Sequence, residues 1–306
     1  MNFLSRILTA LAVFSALVQL PSSTFAQDRP TFTTGVALVP ITAVVRDSKS
    51  RIVRDLAQDD FQVLENSQPR RILDFRATDR GPVSLAVLFD TSGSMRGPNL
   101  AKGRAVLDRL LSAMDGTTDE IALFTFDNAT RQVTPFTRVA ATVRTALAEW
   151  DGWGLTSLYD AIADTAKRVA DRRAERRAVI VITDGLDTSS SLTPADVSGL
   201  ASSIDVPIYV ITVAHPQRAE DDQRSDGKET SLADLASWTG GDLRVAAGAT
   251  QADRTIAELM AELRQQYFLA IESSAASGWY RLDVTTKRRD LTVRTRSGYY
   301  ANPASH

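Results

Sequence analysis

The 306-residue chain contains no cysteine and only two histidines. The absence of thiols excludes disulfides, thiolate metal sites, a cysteine nucleophile and a lipid-modified N-terminal cysteine. Two histidines are too few for a polyhistidine zinc site. A metal ion bound to this chain would therefore need oxygen ligands.

The chain also lacks an excess of charge of either sign. Lys and Arg total 35, Asp and Glu total 37, and the net charge is -2, so no overall basic field attracts nucleic acid. The composition, 43% hydrophobic and 24% charged, is ordinary for a folded protein and excludes the disordered, collagenous and membrane-bundle classes. We expect one large domain, a smaller one, and no nucleic-acid partner.

The first 26 residues have the pattern of a secretory signal. Arg6 precedes the mostly apolar stretch Ile7 to Leu20, and the segment ends in Thr24-Phe25-Ala26. This stretch is shorter than the roughly 20 apolar residues that span a bilayer. We therefore predict cleavage, export to the periplasm or the extracellular space, and no stable membrane span afterwards; a retained anchor is the alternative.

Two kinds of hydrophobic pattern divide the mature chain. Short runs with apolar alternation predict strands at both ends, and longer apolar runs predict strands buried on both faces in the middle. The predicted strands are Val36–Val45, Phe61–Leu64, Ile72–Phe75, Val83–Phe89, Ile121–Phe126, Ala178–Thr183, Val206–Val213, Tyr267–Ile271, Trp279–Thr285 and Leu291–Thr295. The polar segment Gln217–Thr230 predicts a mobile loop.

Helical spacing appears between the buried runs. The predicted helices are Asn99–Met114, Val139–Glu149, Ser157–Arg173, Pro194–Ser203, Ser231–Trp238 and Gln251–Gln266. This alternation predicts an α/β fold with a doubly wound, mostly parallel sheet. We expect an N-terminal β module at 27–80, the α/β domain at 81–266 and a C-terminal β segment at 267–306. Since neither flank has enough strands for a covered sheet, we predict that both form one small β-sandwich-like module.

Polar side chains follow the ends of the predicted parallel strands. Asp90, Ser92 and Ser94 follow the first buried strand, Asp184 follows the strand that ends at Thr183, and Thr156 opens a helix. Ligands of open α/β sheets bind at this edge. Carboxylates and hydroxyls suit Mg²⁺ better than zinc or copper, and so few carboxylates would leave the ion electrophilic.

These residues carry a family resemblance. The Asp-x-Ser-x-Ser run at 90–94, Thr156 in Gly-Leu-Thr-Ser, and Thr-Asp-Gly at 183–185 resemble the metal-ion-dependent adhesion site (MIDAS) of von Willebrand factor type A (vWA) domains. The stretch Leu235-Ala236-Ser237-Trp238-Thr239-Gly240-Gly241 is also similar to one in these domains. The flanks, including 53–71 and 296–300, resemble those of exported bacterial vWA-related proteins.

The resemblance implies a Rossmann-like fold, binding rather than catalysis, and Mg²⁺, or Mn²⁺ or Ca²⁺, as the cation. It implies that Ser92, Ser94 and Thr156 contact the ion directly, whereas Asp90 and Asp184 act largely through water. The implied partner is a protein or peptide that presents an acidic side chain to the metal, as in adhesion. Trp150 and Trp153 flank the Thr156 loop and either form an apolar rim for that partner or cover the sheet edge.

Other interpretations stay open. A metal-free vWA scaffold would interact through its other faces. A haloacid-dehalogenase-like phosphohydrolase would also place an aspartate at Asp90 with Mg²⁺, but Ser92 stands where its second aspartate is needed. An aspartic protease needs two Asp-Thr-Gly loops, and both copies here, at Asp90 and at Asp187, have Ser in the third position. A serine hydrolase needs a base, and the only histidines are His215 and His306.

Overall fold

The computed structural model describes residues 38–77, 81–148, 150, 152–172, 174, 176–213, 231–274 and 276–301. The predicted signal segment 1–26, the predicted loop 217–230 and both histidines lie outside these residues. None of the helices in the described ranges is both long enough and apolar enough to cross a bilayer.

The described chain folds into three sheets and six helices. The strands are β1 Leu38–Arg46, β2 Phe61–Glu65, β3 Gln68–Arg70, β4 Ile72–Ala77, β5 Val83–Asp90, β6 Glu120–Phe126, β7 Thr130–Thr137, β8 Arg176–Thr183, β9 Ile208–Thr212, β10 Leu243–Val245, β11 Tyr267–Glu272, β12 Gly278–Thr286, β13 Thr292–Arg294 and β14 Gly298–Ala301. The helices are α1 Pro98–Ala113, α2 Ala140–Ala148, α3 Leu158–Ala170, α4 Pro194–Ser203, α5 Leu232–Trp238 and α6 Ala249–Arg264.

The central sheet has the order β10-β9-β8-β5-β6-β7, and all of its neighbours pair in parallel except β6 and β7. Helices α1, α2 and α6 pack on one face of this sheet, and α3, α4 and α5 pack on the other. Every residue of β5 is buried, as the continuous apolar run predicts for a strand covered on both faces. The doubly wound α/β fold is therefore confirmed.

Local sequence signals explain where several helices begin. Thr193 accepts a hydrogen bond from the Asp196 backbone N–H before α4, and the Asp196 side chain accepts one from Thr193 in return. Ser231 and Asp234 form the same reciprocal pair before α5. These capping boxes satisfy backbone N–H groups that the first helical turn leaves unpaired.

The flanking strands pair with each other across the length of the chain. They form two four-stranded antiparallel sheets, with the orders β13-β1-β11-β4 and β14-β12-β2-β3. One hydrophobic core lies between them, and in it the rings of Phe61, Phe75 and Tyr267 have centroids 5.0 to 6.0 Å apart. The predicted sandwich-like module from both flanks is therefore present.

Candidate metal centre

The candidate site lies where β5 ends. Asp90 is the last residue of β5, Thr183 is the last residue of the neighbouring β8, and Asp184 follows directly. Both strands run parallel, so their carboxyl ends meet at one edge of the sheet. The third predicted component, Thr156, lies just before α3.

Asp90 is completely buried, and its carboxylate is held by two neighbours. The Ser92 backbone N–H donates to Oδ1 at 2.8 Å, and the Thr183 hydroxyl donates to Oδ2 at 2.6 Å. Sequence reasoning did not select Thr183 as a site residue, although it belongs to the Thr-Asp-Gly motif. These contacts fix the orientation of the carboxylate at the strand end.

The two serines connect Asp90 to the second carboxylate. Ser92 Oγ lies 3.1 Å from Ser94 Oγ, and Ser94 and Asn99 form side-chain hydrogen bonds with Asp184. Ser92 and Asp184 are buried, whereas Ser94 is exposed in the short 3₁₀ turn Gly93–Met95. Four of the five predicted residues thus belong to one chain of contacts.

Backbone contacts hold the segment before α3, residues 152–157, against the segment after β5, residues 91–97. We call these segments the Thr156 loop and the Asp90 loop. The Gly93 N–H donates to the Gly154 carbonyl at 3.1 Å, and the Trp153 N–H donates to the Thr91 carbonyl at 2.8 Å. Gly154 has a φ of +87°, in the region that favours glycine. Thr156 follows two residues later and is buried.

A loop after β8, Asp187–Ser190, supports the Thr156 loop. Thr188 Oγ1 accepts from the Thr156 N–H at 2.9 Å, and Ser189 Oγ lies 2.8 Å from Ser157 Oγ. Asp187 Oδ1 accepts from the Leu158 N–H at 2.9 Å, at the start of α3. Sequence reasoning considered Asp187 only as a second protease-like aspartate. In the structure it caps the start of a helix that lies 29 residues earlier in the chain, a contact that local composition does not indicate.

The environment of the site disfavours the ionised forms of both carboxyl groups when no cation is bound. Burial raises the pKa of Asp90 to about 7; hydrogen bonds from Thr183 and Ser92 oppose this rise, and the charge of Asp184 adds to it. Burial also raises the pKa of Asp184, against hydrogen bonds that include the one from Ser94. A cation beside these groups would favour their charged forms.

The donor set fits a hard cation. Within the described ranges, no three Asp, Glu, His or Cys side chains cluster as a metal cage. The site instead offers two carboxylates and the hydroxyls of Ser92, Ser94 and Thr156, all oxygen donors. Such a set suits Mg²⁺, which binds through one or two carboxylates and keeps other positions for water or ligand.

The two tryptophans near the site differ in their surroundings. Trp150 is half-buried and packs against the core of the central sheet, whereas Trp153 is 64% exposed. The guanidinium of Arg96 lies 4.3 Å from the Trp153 ring centroid, and Leu155 nearby is 54% exposed. Trp153 and Leu155 therefore form the apolar surface beside the site.

Several solved structures match part of this chain at low sequence identity. An aerotolerance-related membrane protein from Bacteroides fragilis is 18% identical, with a TM-score of 0.47, over 59% of this chain and 98% of that one. BatB from Bacteroides thetaiotaomicron is 20% identical, with a TM-score of 0.47, over 58% and 98%. The vWF domain of the type V pili tip protein Mfa5 from Porphyromonas gingivalis is 23% identical, with a TM-score of 0.32, over 38% and 44%.

A search of curated proteins finds no significant match to this chain. The family model of the von Willebrand factor type A domain matches residues 84–252, more than half of the chain. This range extends from the second residue of β5 to beyond β10 and includes all five predicted site residues. The chain belongs to the von Willebrand factor type A domain family.

Proposed function

We propose that this protein binds a divalent cation, Mg²⁺ or alternatively Mn²⁺ or Ca²⁺, through Asp90, Ser92, Ser94, Thr156 and Asp184. The observation that carries the proposal is the completely buried Asp90, which is joined through Ser92 and Ser94 to the second buried carboxylate, Asp184. Without a cation, the protein keeps two mutually repelling carboxyl groups out of water, which costs free energy.

We propose further that the site mediates metal-dependent binding of a protein or peptide and performs no catalysis. A bound cation supplies a coordination position for a carboxylate of the partner. Ser92 and Ser94 would offer neutral hydroxyl oxygens to the cation, and Thr183 fixes the carboxylate of Asp90. Trp153 and Leu155 offer apolar contact area beside that position, which suits an acidic side chain flanked by apolar residues.

We also propose that the protein is exported and that its mature form is located in the periplasm or outside the cell. Its support is the signal-like pattern of residues 1–26. N-terminal sequencing of protein recovered from the periplasmic or medium fraction tests this directly. A mature chain that begins at Gln27 supports cleavage and export, whereas recovery of the intact chain in the membrane fraction would favour an anchor.

Isothermal titration of metal-stripped protein with Mg²⁺, Mn²⁺ and Ca²⁺ tests the cation site. We expect saturable binding at one site, lost in Asp184→Ala and in the double variant Ser92→Ala and Ser94→Ala. Ser203→Ala is the matched control, because this hydroxyl lies on α4 and bonds only the Leu200 carbonyl among the described contacts. Absence of binding in the unaltered protein would favour the metal-free scaffold, and retained binding in the double variant would mean that the ligands are wrong.

A further inference from the structure

Three arginines converge on one carboxylate at a position remote in sequence from the metal centre. Glu262, on α6, is completely buried. Its Oε2 accepts from Arg46 Nη2 at 2.5 Å and from Arg244 Nη2 at 2.7 Å, and its Oε1 contacts Arg294 Nη2. Tyr209 Oη also donates to Oε1, at 2.8 Å. The arginines come from β1, β10 and β13, so this cluster joins the vWA domain to the flanking module.

The arginines of this cluster carry more positive charge than its carboxylates neutralise. They also have more hydrogen-bond donors than these carboxylates accept. Asp242 supplies a second negative charge, 3.0 Å from Arg294 Nη1, but its side chain is 42% exposed. The buried Nε of Arg294 has no hydrogen-bond acceptor among the described residues, and the buried Nε of Arg244 has only an ion-pair contact with Asp242 Oδ2, at 3.5 Å. A guanidinium only donates, so the missing partners are acceptors.

A cleft of about 380 Å³ opens over these arginines, within the size range of small-molecule sites. Its wall includes Arg46, Arg244 and Arg294, with Arg254 and Glu258 at the rim. Four arginines thus face the negative charges of Asp242, Glu258 and the underlying Glu262, which leaves one positive charge in surplus. We call this feature the arginine cleft.

We propose that the arginine cleft, which lies at the boundary between the vWA domain and the flanking module, binds a small oxyanion. This anion is either a phosphate group or a polycarboxylate. Planar guanidinium forks pair with such groups through two parallel hydrogen bonds. The anion neutralises the surplus charge and accepts from arginine N–H groups that face the cleft. This site uses none of the residues of the metal centre.

Calorimetric titration of the metal-stripped protein with inorganic phosphate and, separately, with citrate tests the proposal. Chelator in the buffer removes divalent cations, and sodium chloride at matched ionic strength controls for screening. We expect saturable one-site binding of at least one of the two anions, together with a rise in Tm that sodium chloride does not produce. Binding of phosphate alone, of citrate alone, or of both assigns the class of oxyanion.

Arg254→Glu is the principal variant, because this side chain is 77% exposed and its loss removes no buried contact. We expect it to raise the Kd by about tenfold. Arg46→Gln, which removes one of the three donors to Glu262, should weaken binding further where the variant folds. Arg168→Glu is the matched control, since Arg168 forms a similar i,i+4 pair with Asp164 on α3 and the substitution makes the same change of charge.

Two results would overturn the proposal. The first is the absence of saturable binding for both anions at matched ionic strength. The second is an unchanged Kd in Arg254→Glu, which would place the binding outside the arginine cleft, or an equal weakening in Arg168→Glu, which would assign the binding to general surface charge.

Discussion

Gly152→Ala tests whether the packing of the Thr156 loop on the Asp90 loop determines the geometry of the proposed metal centre. A Cβ at Gly152 would lie 2.5 Å from the Ser92 carbonyl oxygen and 2.9 Å from Arg96 Cγ. Gly152 is not among the glycines with positive φ, so alanine suits its backbone and the perturbation is steric. The two loops must move apart.

The size of that movement sets the expected effect. An ordinary contact between Cβ and the carbonyl oxygen begins at 3.4 Å. The loops must therefore separate by about 0.9 Å unless neighbouring contacts adjust. Sites for Mg²⁺ tolerate deviations of only about 0.2 Å in ligand distance. We therefore expect Mg²⁺ affinity to fall by about tenfold or more, roughly 1.4 kcal/mol. Overpacking should also reduce the free energy of unfolding by about 1–3 kcal/mol.

Calorimetric titration with Mg²⁺ and urea denaturation measure the two effects on the same protein. Gly199→Ala is the control, since a Cβ on this glycine of α4 meets nothing within 4 Å. It should leave Mg²⁺ affinity unchanged and raise the free energy of unfolding by about 0.5–1 kcal/mol. A folded Gly152→Ala protein with unchanged Mg²⁺ affinity would refute the reasoning, because the loop contact would then not determine the ligand geometry.

Two further predictions concern stability. In Gly241→Ala, the new Cβ would lie 1.9 Å from the Ile208 carbonyl oxygen, a backbone clash that we expect to cost more than about 4 kcal/mol or to prevent folding; a Tm close to that of Gly199→Ala would contradict it. In Arg296→Met, the Ser202 and Pro40 carbonyls lose a buried charged donor, and because each unsatisfied carbonyl costs about 1–3 kcal/mol, the expected loss is about 2–6 kcal/mol in urea denaturation. A loss below about 1 kcal/mol would show that this arginine does not fasten the flanking module to the vWA domain.

Hydrophobic pattern was sufficient to predict the main elements. The continuous runs identified β5, β6, β8 and β9 because strands covered on both faces need apolar residues at every position. The strand β7, Thr130–Thr137, was missed, since it is an antiparallel edge strand with mostly polar residues and a proline, which edges tolerate. The short strands β3, β10 and β14 were missed because three or four residues are too few to show a period.

The candidate site was predicted by residue type and by position at strand ends. The sequence could not show how the residues are held, because these contacts join positions far apart in the chain. Thr183 reaches Asp90 across 93 residues, and Thr188 supports Thr156 across 32. Hydroxyl and carboxyl side chains cap backbone groups in many loops, so their composition alone does not identify which loop they support.

The connections between the vWA domain and the flanking strands explain why the proposed metal centre faces away from those strands. The chain enters the vWA domain at Val83 and leaves it after Arg264, the last residue of α6, and both residues contact Asp119. Its Oδ1 accepts from the Val83 N–H at 3.1 Å, and its Oδ2 lies 2.7 Å from Arg264 Nη2. Val83 begins β5, whereas Asp90 ends it. The flanking strands therefore join at the amino end of the parallel sheet, opposite the carboxyl end, which carries Asp90 and Ser94 and where we propose that a partner binds.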